Sequence, residues 1–327
     1  MKRSLNGMRV LVTGGCGFIG TNFVHHVMQK FKDVFVINLD ALTYAGRRKN
    51  LAEWEGNERY QFVKGDICDE SLVRDLIQAC DCVLHLAAES HVDRSIVDAR
   101  PFVQTNVLGT QVLLDAMREV DPPGDKRFVY VSTDEVYGEL SLEAREKRFT
   151  EDMCLRPNSP YAASKAGADL MVQAYHRTYG MDTVVTRCGN NYGPYQYPEK
   201  LIPLFITNLL QNKPVPLYGD GKHVRDWVHV DDHVEALCCV TENGEAGEVY
   251  NVGAACERSN LELTKIILRA MGKPESMIEY VKDRAGHDRR YAIDARKIRE
   301  NLGWKASVSD FTDKLDALIA WYTTHYG

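Results

Sequence analysis

No apolar run in this chain reaches the roughly 18 residues that a membrane-spanning helix needs. No CxxC pair occurs either. The nine cysteines are odd in number, Cys238 abuts Cys239, and Cys80 lies one residue from Cys82. That pattern argues against a disulfide framework and against a zinc site, so no metal is expected; reduced thiols packed as small apolar groups are the plainer reading. A basic excess is also missing. Lys and Arg number 40 against 46 Asp and Glu, which gives a formal net charge of −6 and a pI near 6.0. A nucleic-acid partner is therefore not expected, because such a partner calls for a basic face. A nucleotide-sized ligand is not excluded, since one diphosphate needs only one or two cations and a few backbone N–H groups. The opening residues MKRSLNG carry two basic side chains but no apolar signal-peptide core before the first strand. The expectation is a cytoplasmic protein with no membrane partner.

What is present has a clear order. The 327 residues are too many for one small domain and suit a large α/β domain with an appended lobe. Continuous β-branched runs at 8–13, 34–39, 60–63, 82–86, 127–132 and 183–188 read as strands buried on both faces. Helical periodicity fills 18–30, 69–80, 101–120 and 160–179, with Pro101 and Pro160 at first turns. Such alternation predicts a Rossmann-type, doubly wound parallel sheet with right-handed crossovers. After about residue 190 the pattern changes to shorter elements: helices at 199–212, 231–241, 259–271 and 308–325, with a turn at 219–221. The expected division is a dinucleotide-binding domain at 1–190 and a smaller substrate-binding lobe at 191–327, with a crossing back to the sheet through 249–252.

Residues 13–20, TGGCGFIG, follow a strand and open a helix. Gly14, Gly17 and Gly20 have GxxGxxG spacing. Small residues there let the backbone approach a pyrophosphate at a helix N-terminus. An ordinary βα turn is the competing reading. Asp40, twenty residues on at the end of the second strand, can accept both hydroxyls of an adenosine ribose and would repel a 2′-phosphate, which favours NAD over NADP. Arg47, Arg48 and Lys49 complicate that preference. Asp66 and Ile67, after the third strand, can flank an adenine, although a solvated loop carboxylate fits Asp66 as well.

The strongest chemical signal is Tyr161-Ala-Ala-Ser-Lys165. Positions i and i+4 share a helix face. A lysine there can bring its ammonium near the phenol and the nicotinamide ribose, lowering the phenol pKa until tyrosinate serves as a base. Upstream, the strand at 127–132 ends in Ser132-Thr133-Asp134-Glu135, and doubly wound sheets bind ligands at the carboxyl ends of their strands. One hydroxyl suffices for a plain dehydrogenase. Two adjacent carboxyls suggest further proton transfers, because their repulsion keeps one protonated beside an ionised neighbour.

In this order, GGCGFIG, LAAESHVDRS, STDEVYGE, SPYAASKAGAD, NNYGPYQYPEKLIPLF, PLYGDG and DRAGHDRRYAID resemble the nucleoside-diphosphate-glucose 4,6-dehydratases, those acting on dTDP-glucose above all. These belong to the extended short-chain dehydrogenase/reductases. The resemblance spans about residues 8–305, and TDEVYG with YPEKLIP is its most specific part. It implies an NAD-dependent lyase that oxidises C4 of the sugar, eliminates water across C5 and C6, and returns the hydride to C6. Tyr161 would be the C4 base, Glu135 the C5 base, Asp134 the acid for the C6 hydroxyl, Thr133 a hydrogen-bond partner of the C4 oxygen, and Lys165 the ribose anchor. It further implies cofactor contacts from Gly14, Gly17, Phe18, Ile19, Gly20, Asp40, Thr43, Asp66, Ile67, Leu86, Ala87, Ala88, Thr105, Tyr161, Lys165 and Asn191. Sugar-nucleotide contacts would come from Ser90, Thr133, Asn190, Lys200, Leu201, Pro216, Tyr218, Arg225, Asn260, Arg284 and His287. Arg225 and Arg284 are expected on the diphosphate, where a planar guanidinium binds oxygens in pairs. Departures from the family pattern are Cys16, Ala285 and Cys188. The family also implies a homodimer joined by a four-helix bundle from 101–120 and 160–179. Competing readings are a nucleotide-sugar 4-epimerase or UDP-glucuronate decarboxylase, neither of which needs the Asp-Glu pair, and a non-catalytic NAD-sensing regulator.

Overall fold

The computed structural model describes residues 3–121, 125–307 and 311–326. Seven parallel strands form the main sheet: β1 (Arg9–Thr13), β2 (Phe35–Asp40), β3 (Tyr60–Lys64), β4 (Cys82–His85), β5 (Arg127–Thr133), β6 (Asp182–Cys188) and β10 (Val249–Val252). Their order is β10-β6-β5-β4-β1-β2-β3. The direction of winding reverses between β1 and β4, and ligands in such sheets bind outside the carboxyl ends at that point. Helices Phe18–Lys30 and Val230–Asn243 cover one face; Glu70–Gln78, Gly109–Val120 and Pro160–Tyr179 cover the other. Both faces are thus apolar. Val10, Val12 and Leu84 point to one core and Leu11, Ile37 and Val83 to the other, all at most 1% exposed. Truncating one of the leucines to alanine should cost about 2–5 kcal/mol.

The remaining strands are β7 (Asn190–Tyr192), β8 (Val215–Tyr218), β9 (Val224–His229), β11 (Glu257–Ser259) and β12 (Ile278–Val281). They form a three-stranded sheet, β11-β9-β7, and a parallel pair, β12-β8. Helices Leu201–Leu210, Asn260–Ala270 and Phe311–Tyr326 close a separate core around Ile206, Leu263, Leu315 and Tyr322. The sequence periodicity placed the last helix at 308–325; residues 308–310 lie outside the described residues. The chain does not divide cleanly at 190. Helix Val230–Asn243, β10 and helix Arg296–Leu302 return to the main sheet, where β10 pairs with β6.

One expected helix has an irregular middle. The 101–120 stretch is α-helical at Arg100–Phe102 and Gly109–Val120 but π-helical at Val103–Leu108. Wide turns of this kind recur at functional sites. Here the widening places Asn106, whose amide bonds both the N–H (2.9 Å) and the carbonyl (3.0 Å) of Glu89 and the Ser164 hydroxyl (2.8 Å), so it braces the loop after β4 against helix Pro160–Tyr179. Among the described residues no helix is long and apolar enough to cross a membrane.

Candidate active site

A single cleft runs along the carboxyl ends of β1, β2, β4, β5 and β6, with about 330 Å³ of enclosed space. The glycine loop forms its floor. Gly14 has φ +72°, and a Cβ there would lie 2.7 Å from the Ala87 backbone, so only glycine fits. A Cβ on Gly20 would overlap the Gly14 carbonyl oxygen. Gly17 caps helix Phe18–Lys30 without a side-chain partner, which leaves the first N–H groups of that helix for a ligand. Asp40 is buried, and its carboxylate accepts from the N–H of Cys16 (2.9 Å) and of Leu42 (2.7 Å). Burial raises its pKa and those two N–H groups work against the rise. The basic residues nearby are otherwise engaged. Arg47 lies against the Tyr197 and Tyr326 rings, and Arg48 pairs with Glu55 at 2.8 Å. A negative ribose partner therefore stands without competition at the end of β2.

All the residues expected on a cofactor line this one cleft: Gly14, Gly17, Phe18, Ile19, Gly20, Asp40, Thr43, Asp66, Ile67, Leu86, Ala87, Ala88, Thr105, Tyr161, Lys165 and Asn191. So do Thr133, Asp134 and Glu135 and, of those expected on a sugar nucleotide, Ser90, Asn190 and Lys200. The Lys200 ammonium donates to the Ser90 carbonyl at 2.9 Å. Leu201, Pro216, Tyr218, Arg225, Asn260, Arg284 and His287 stand outside the cleft lining. Arg284, Lys200 and Arg225 are nonetheless close enough to Glu135 for their charges to lower its pKa.

Beneath the floor, His85 bridges Thr13 (2.7 Å) and Thr110 (2.9 Å). Thr110 spends its proton on the Asn106 carbonyl, so the His85 Nε2 carries the hydrogen and Nδ1 accepts from Thr13. Burial, with the Lys165 charge second, pushes His85 down to about 3, and it stays neutral. Thr13 in turn accepts from the Leu86 and Ala87 N–H groups at 3.2 Å. This histidine orders the loop rather than transferring protons.

Helix Pro160–Tyr179 starts on a Ser159 cap, whose hydroxyl accepts from the Ala162 N–H at 3.1 Å. It carries Tyr161 and Lys165 on one buried face. The Lys165 ammonium donates to the Val131 carbonyl at 2.7 Å and lies 4.3 Å from the Tyr130 ring centre. Burial pulls its pKa down to about 8. Burial raises the Tyr161 phenol well above its ordinary value and the Glu135 charge adds to the rise, while the Thr133 hydroxyl opposes it. The lysine ammonium itself is bonded to a carbonyl of β5.

The carboxyl pair follows β5 on a short 3₁₀ turn, Asp134–Tyr137. The Thr133 hydroxyl accepts from the Glu135 N–H (3.3 Å) and donates to Asp134 Oδ1 (3.3 Å). Asp134 is 2% exposed and its Oδ2 has no partner. Burial and then the Glu135 charge raise its pKa far above the carboxylate range, against Arg225. Glu135 is also raised by burial, but Arg284, Lys200 and Arg225 all oppose the shift. The turn therefore holds a protonated acid next to a carboxylate that three cations help to ionise.

Several lining residues carried no sequence expectation: Glu89, Gln196, Tyr197 and Glu199. The last three lie in the Gln-Tyr-Pro-Glu-Lys stretch that flags Lys200, and Glu89 lies in LAAESHVDRS between Ala88 and Ser90, so a signal was there for each. Arg225 also has partners within the protein. It is buried, its Nη atoms donate to the Val224 (2.8 Å) and Asp288 (2.9 Å) carbonyls, and its guanidinium lies 4.1 Å from the Tyr291 ring centre. His287 donates its Nδ1–H to the Asp283 carboxylate (2.6 Å) and stacks on His223, with ring centres 3.6 Å apart. His223, Asp283 and His287 are close enough together to be weighed as metal ligands. The charges of Arg284, Arg225 and Arg289 act on these histidines and work against a cation there. The surroundings suit an anion.

Comparison with known proteins bears on this geometry. A family model described as GDP-mannose 4,6 dehydratase matches residues 11–314. The dTDP-glucose 4,6-dehydratase of an Actinoplanes species is 52% identical, with 96% of this chain and 98% of that protein covered. The crystal structure of the dTDP-glucose 4,6-dehydratase DesIV from Streptomyces venezuelae, solved with NAD bound, superposes with a TM-score of 0.92 at 51% identity and covers 97% of both chains. A UDP-glucuronic acid 4-epimerase from Bacillus cereus is similar in fold, TM-score 0.89 over 98% of this chain and 100% of that one, but only 29% identical.

Proposed function

Since this chain belongs to the GDP-mannose 4,6 dehydratase family, we propose that it dehydrates a nucleoside-diphosphate-glucose, dTDP-glucose in the first place, to the 4-keto-6-deoxy sugar. One observation carries the reading: two adjacent carboxyls, Asp134 buried and Glu135 part-buried beside the charges of Arg284, Lys200 and Arg225, sit on the same cleft as Tyr161 and Lys165. An epimerase needs no such pair.

The cleft fits NAD. The close approach that glycine permits at Gly14, the uncapped helix start and the Asp40 carboxylate suit in turn a pyrophosphate, its charge and a ribose diol. NAD, held by the glycine loop, Asp40 and Lys165, would supply the acceptor and later the donor of the hydride. Tyr161 accepts the C4 hydroxyl proton, and Thr133 holds the C4 oxygen by a hydrogen bond. The resulting ketone acidifies the C5 proton, which Glu135 removes. Asp134 delivers its proton to the C6 hydroxyl, which leaves as water. Glu135 then returns its proton to C5, and the proton taken up by Tyr161 passes to Asp134, which restores both groups for the next turnover. Lys165 binds the ribose, while Lys200, Arg284 and His287 face the nucleotide. Water is the only product besides the ketosugar, so the enzyme is a hydro-lyase with no net redox change.

The functional unit in this reading is a homodimer. Val103, Leu108, Leu170 and Tyr179 are 40–55% exposed on the two helical stretches expected to pair as a four-helix bundle. Leu170→Arg should then yield a monomer by sedimentation. The protein works in the cytoplasm, in keeping with the buried thiols of Cys16, Cys80, Cys82, Cys188 and Cys238.

The test is incubation of the purified protein with dTDP-glucose and, separately, UDP-glucose, without added reductant, followed by mass spectrometry. Loss of one water with a new 4-ketone supports the reading and identifies the base. Unchanged mass with an altered sugar configuration would make the protein an epimerase.

A further inference from the structure

Asp169 continues the stripe of Tyr161 and Lys165 at the next helical turn, and it is fully buried. Its two carboxylate oxygens receive Nε and Nη2 of Arg187, both at 2.9 Å. Arg187 lies on β6, between Ser132 of β5 and Asn251 of β10 in the sheet register. Its Nη1 donates to the Tyr137 hydroxyl at 2.9 Å. Tyr137 passes its own proton to Asn251 Oδ1 at 2.8 Å. Asn251 finishes the chain by donating Nδ2 to the Phe149 carbonyl (2.9 Å) and its N–H to Glu151 (2.9 Å). Each of these four side chains is at most 4% exposed, and each has its partners.

The two ends of this row matter. Asp169 belongs to the helix that carries Tyr161 and Lys165. Tyr137 closes the 3₁₀ turn that carries Asp134 and Glu135, two residues from Glu135. That turn has few other ties: the Gly138 N–H bonds back to Glu135 at 3.3 Å and the Arg156 N–H bonds Val136 at 3.0 Å. We propose that Tyr137, held by Arg187 and Asn251, is a positioning residue that sets the carboxyl pair of the elimination step against the tyrosine–lysine pair of the C4 oxidation. The inference rests on the dehydratase reading given above. It assigns no contact with substrate to Tyr137. Its ring is stacked on Phe149, centres 4.9 Å apart, and packs away from the cleft lining.

The two chemical steps have separate signals, which makes the inference testable. Reduced nicotinamide absorbance follows oxidation at C4, and loss of water follows elimination. Tyr137→Phe keeps the ring and removes the hydroxyl that joins the two halves. Misplacement of a catalytic group by about 1 Å can lower a rate roughly a hundredfold. The expected result is elimination slowed by about ten- to a hundredfold, C4 oxidation and KM within about twofold, and accumulation of the reduced cofactor. Leu315→Ala, in the core of the smaller lobe, is the stability control and should lower the melting temperature without changing the ratio of the two steps. If Tyr137→Phe does not fold, Phe149→Leu loosens the same ring with every hydrogen bond kept and should change the ratio in the same direction. Equal slowing of both steps, or no change in either, with an active wild type overturns the positioning role alone. A wild type that oxidises C4 without losing water overturns the dehydratase reading and this inference with it.

Discussion

Asp169, on the helix of Tyr161 and Lys165, and Asp134, on the turn after β5, are both buried carboxyl groups, and the fold treats them in opposite ways. Asp169 is paired on both oxygens with Arg187, which in turn is bonded to Tyr137. Asp134 has one oxygen on a threonine hydroxyl and the other on nothing. A satisfied buried charge resists movement, because breaking it strands the partner in a low-dielectric interior. An unsatisfied one instead gives up its charge and keeps its proton. The first arrangement holds geometry and the second stores a proton for delivery.

The largest effect should come from breaking the second site. Asp134→Asn or Glu135→Gln should lower the rate of water loss by roughly a hundred- to ten-thousandfold. Melting temperature should hold or rise, because a carboxyl with an unpartnered oxygen is removed at no cost in packing. Breaking the first site should show the reverse balance. Asp169→Ala leaves Arg187 buried without its counter-ion and should cost about 3–5 kcal/mol of stability in urea unfolding.

A smaller effect is the pH dependence of stability. The raised pKa of Asp134 means that the folded protein binds more protons than the unfolded chain above the ordinary carboxylate range. Stability from this group is present below that range and is lost as pH rises from there through the raised folded value. Asp134→Asn should flatten that slope; an unchanged slope would assign it to another group. Lys165 behaves in the opposite sense. Its folded value near 8 lies below its ordinary 10.5, so stability rises with pH between the two. Lys165→Met should remove that rise and abolish turnover. The smallest effect is expected on the surface, where Arg48→Ala should change stability by less than about 1 kcal/mol, since its pairing with Glu55 is half exposed.

Much of the site was legible in the residues. The glycine spacing, the carboxylate at the end of β2, the tyrosine–lysine pair and the two carboxyls after β5 are local patterns, each readable within a few positions. Sequence order along a parallel sheet brings strand ends together, so local motifs could be gathered into one cleft without coordinates. The partner of the Lys165 ammonium was not legible, because it is a carbonyl 34 residues upstream. The backbone partners of Arg225 were hidden for the same reason. Its carbonyl partner at Asp288 is 63 residues away.

By itself, then, the sequence determined the parallel α/β architecture and the chemistry available at the ends of its strands. Helical and strand periodicities, glycine turns and i, i+4 pairs all act over short separations. The sequence already suggested that 249–252 returns to the sheet; tertiary structure alone decided that it pairs with β6 and that Asn251, Arg187 and Ser132 fall in one row. It also decided that Tyr137 closes that row. Those partners lie between 50 and 114 residues apart, and no spacing rule reaches that far. Exclusion of water decides such contacts: once the core closes, every buried polar atom takes the partner the fold brings to it, or takes none and becomes the site of chemistry.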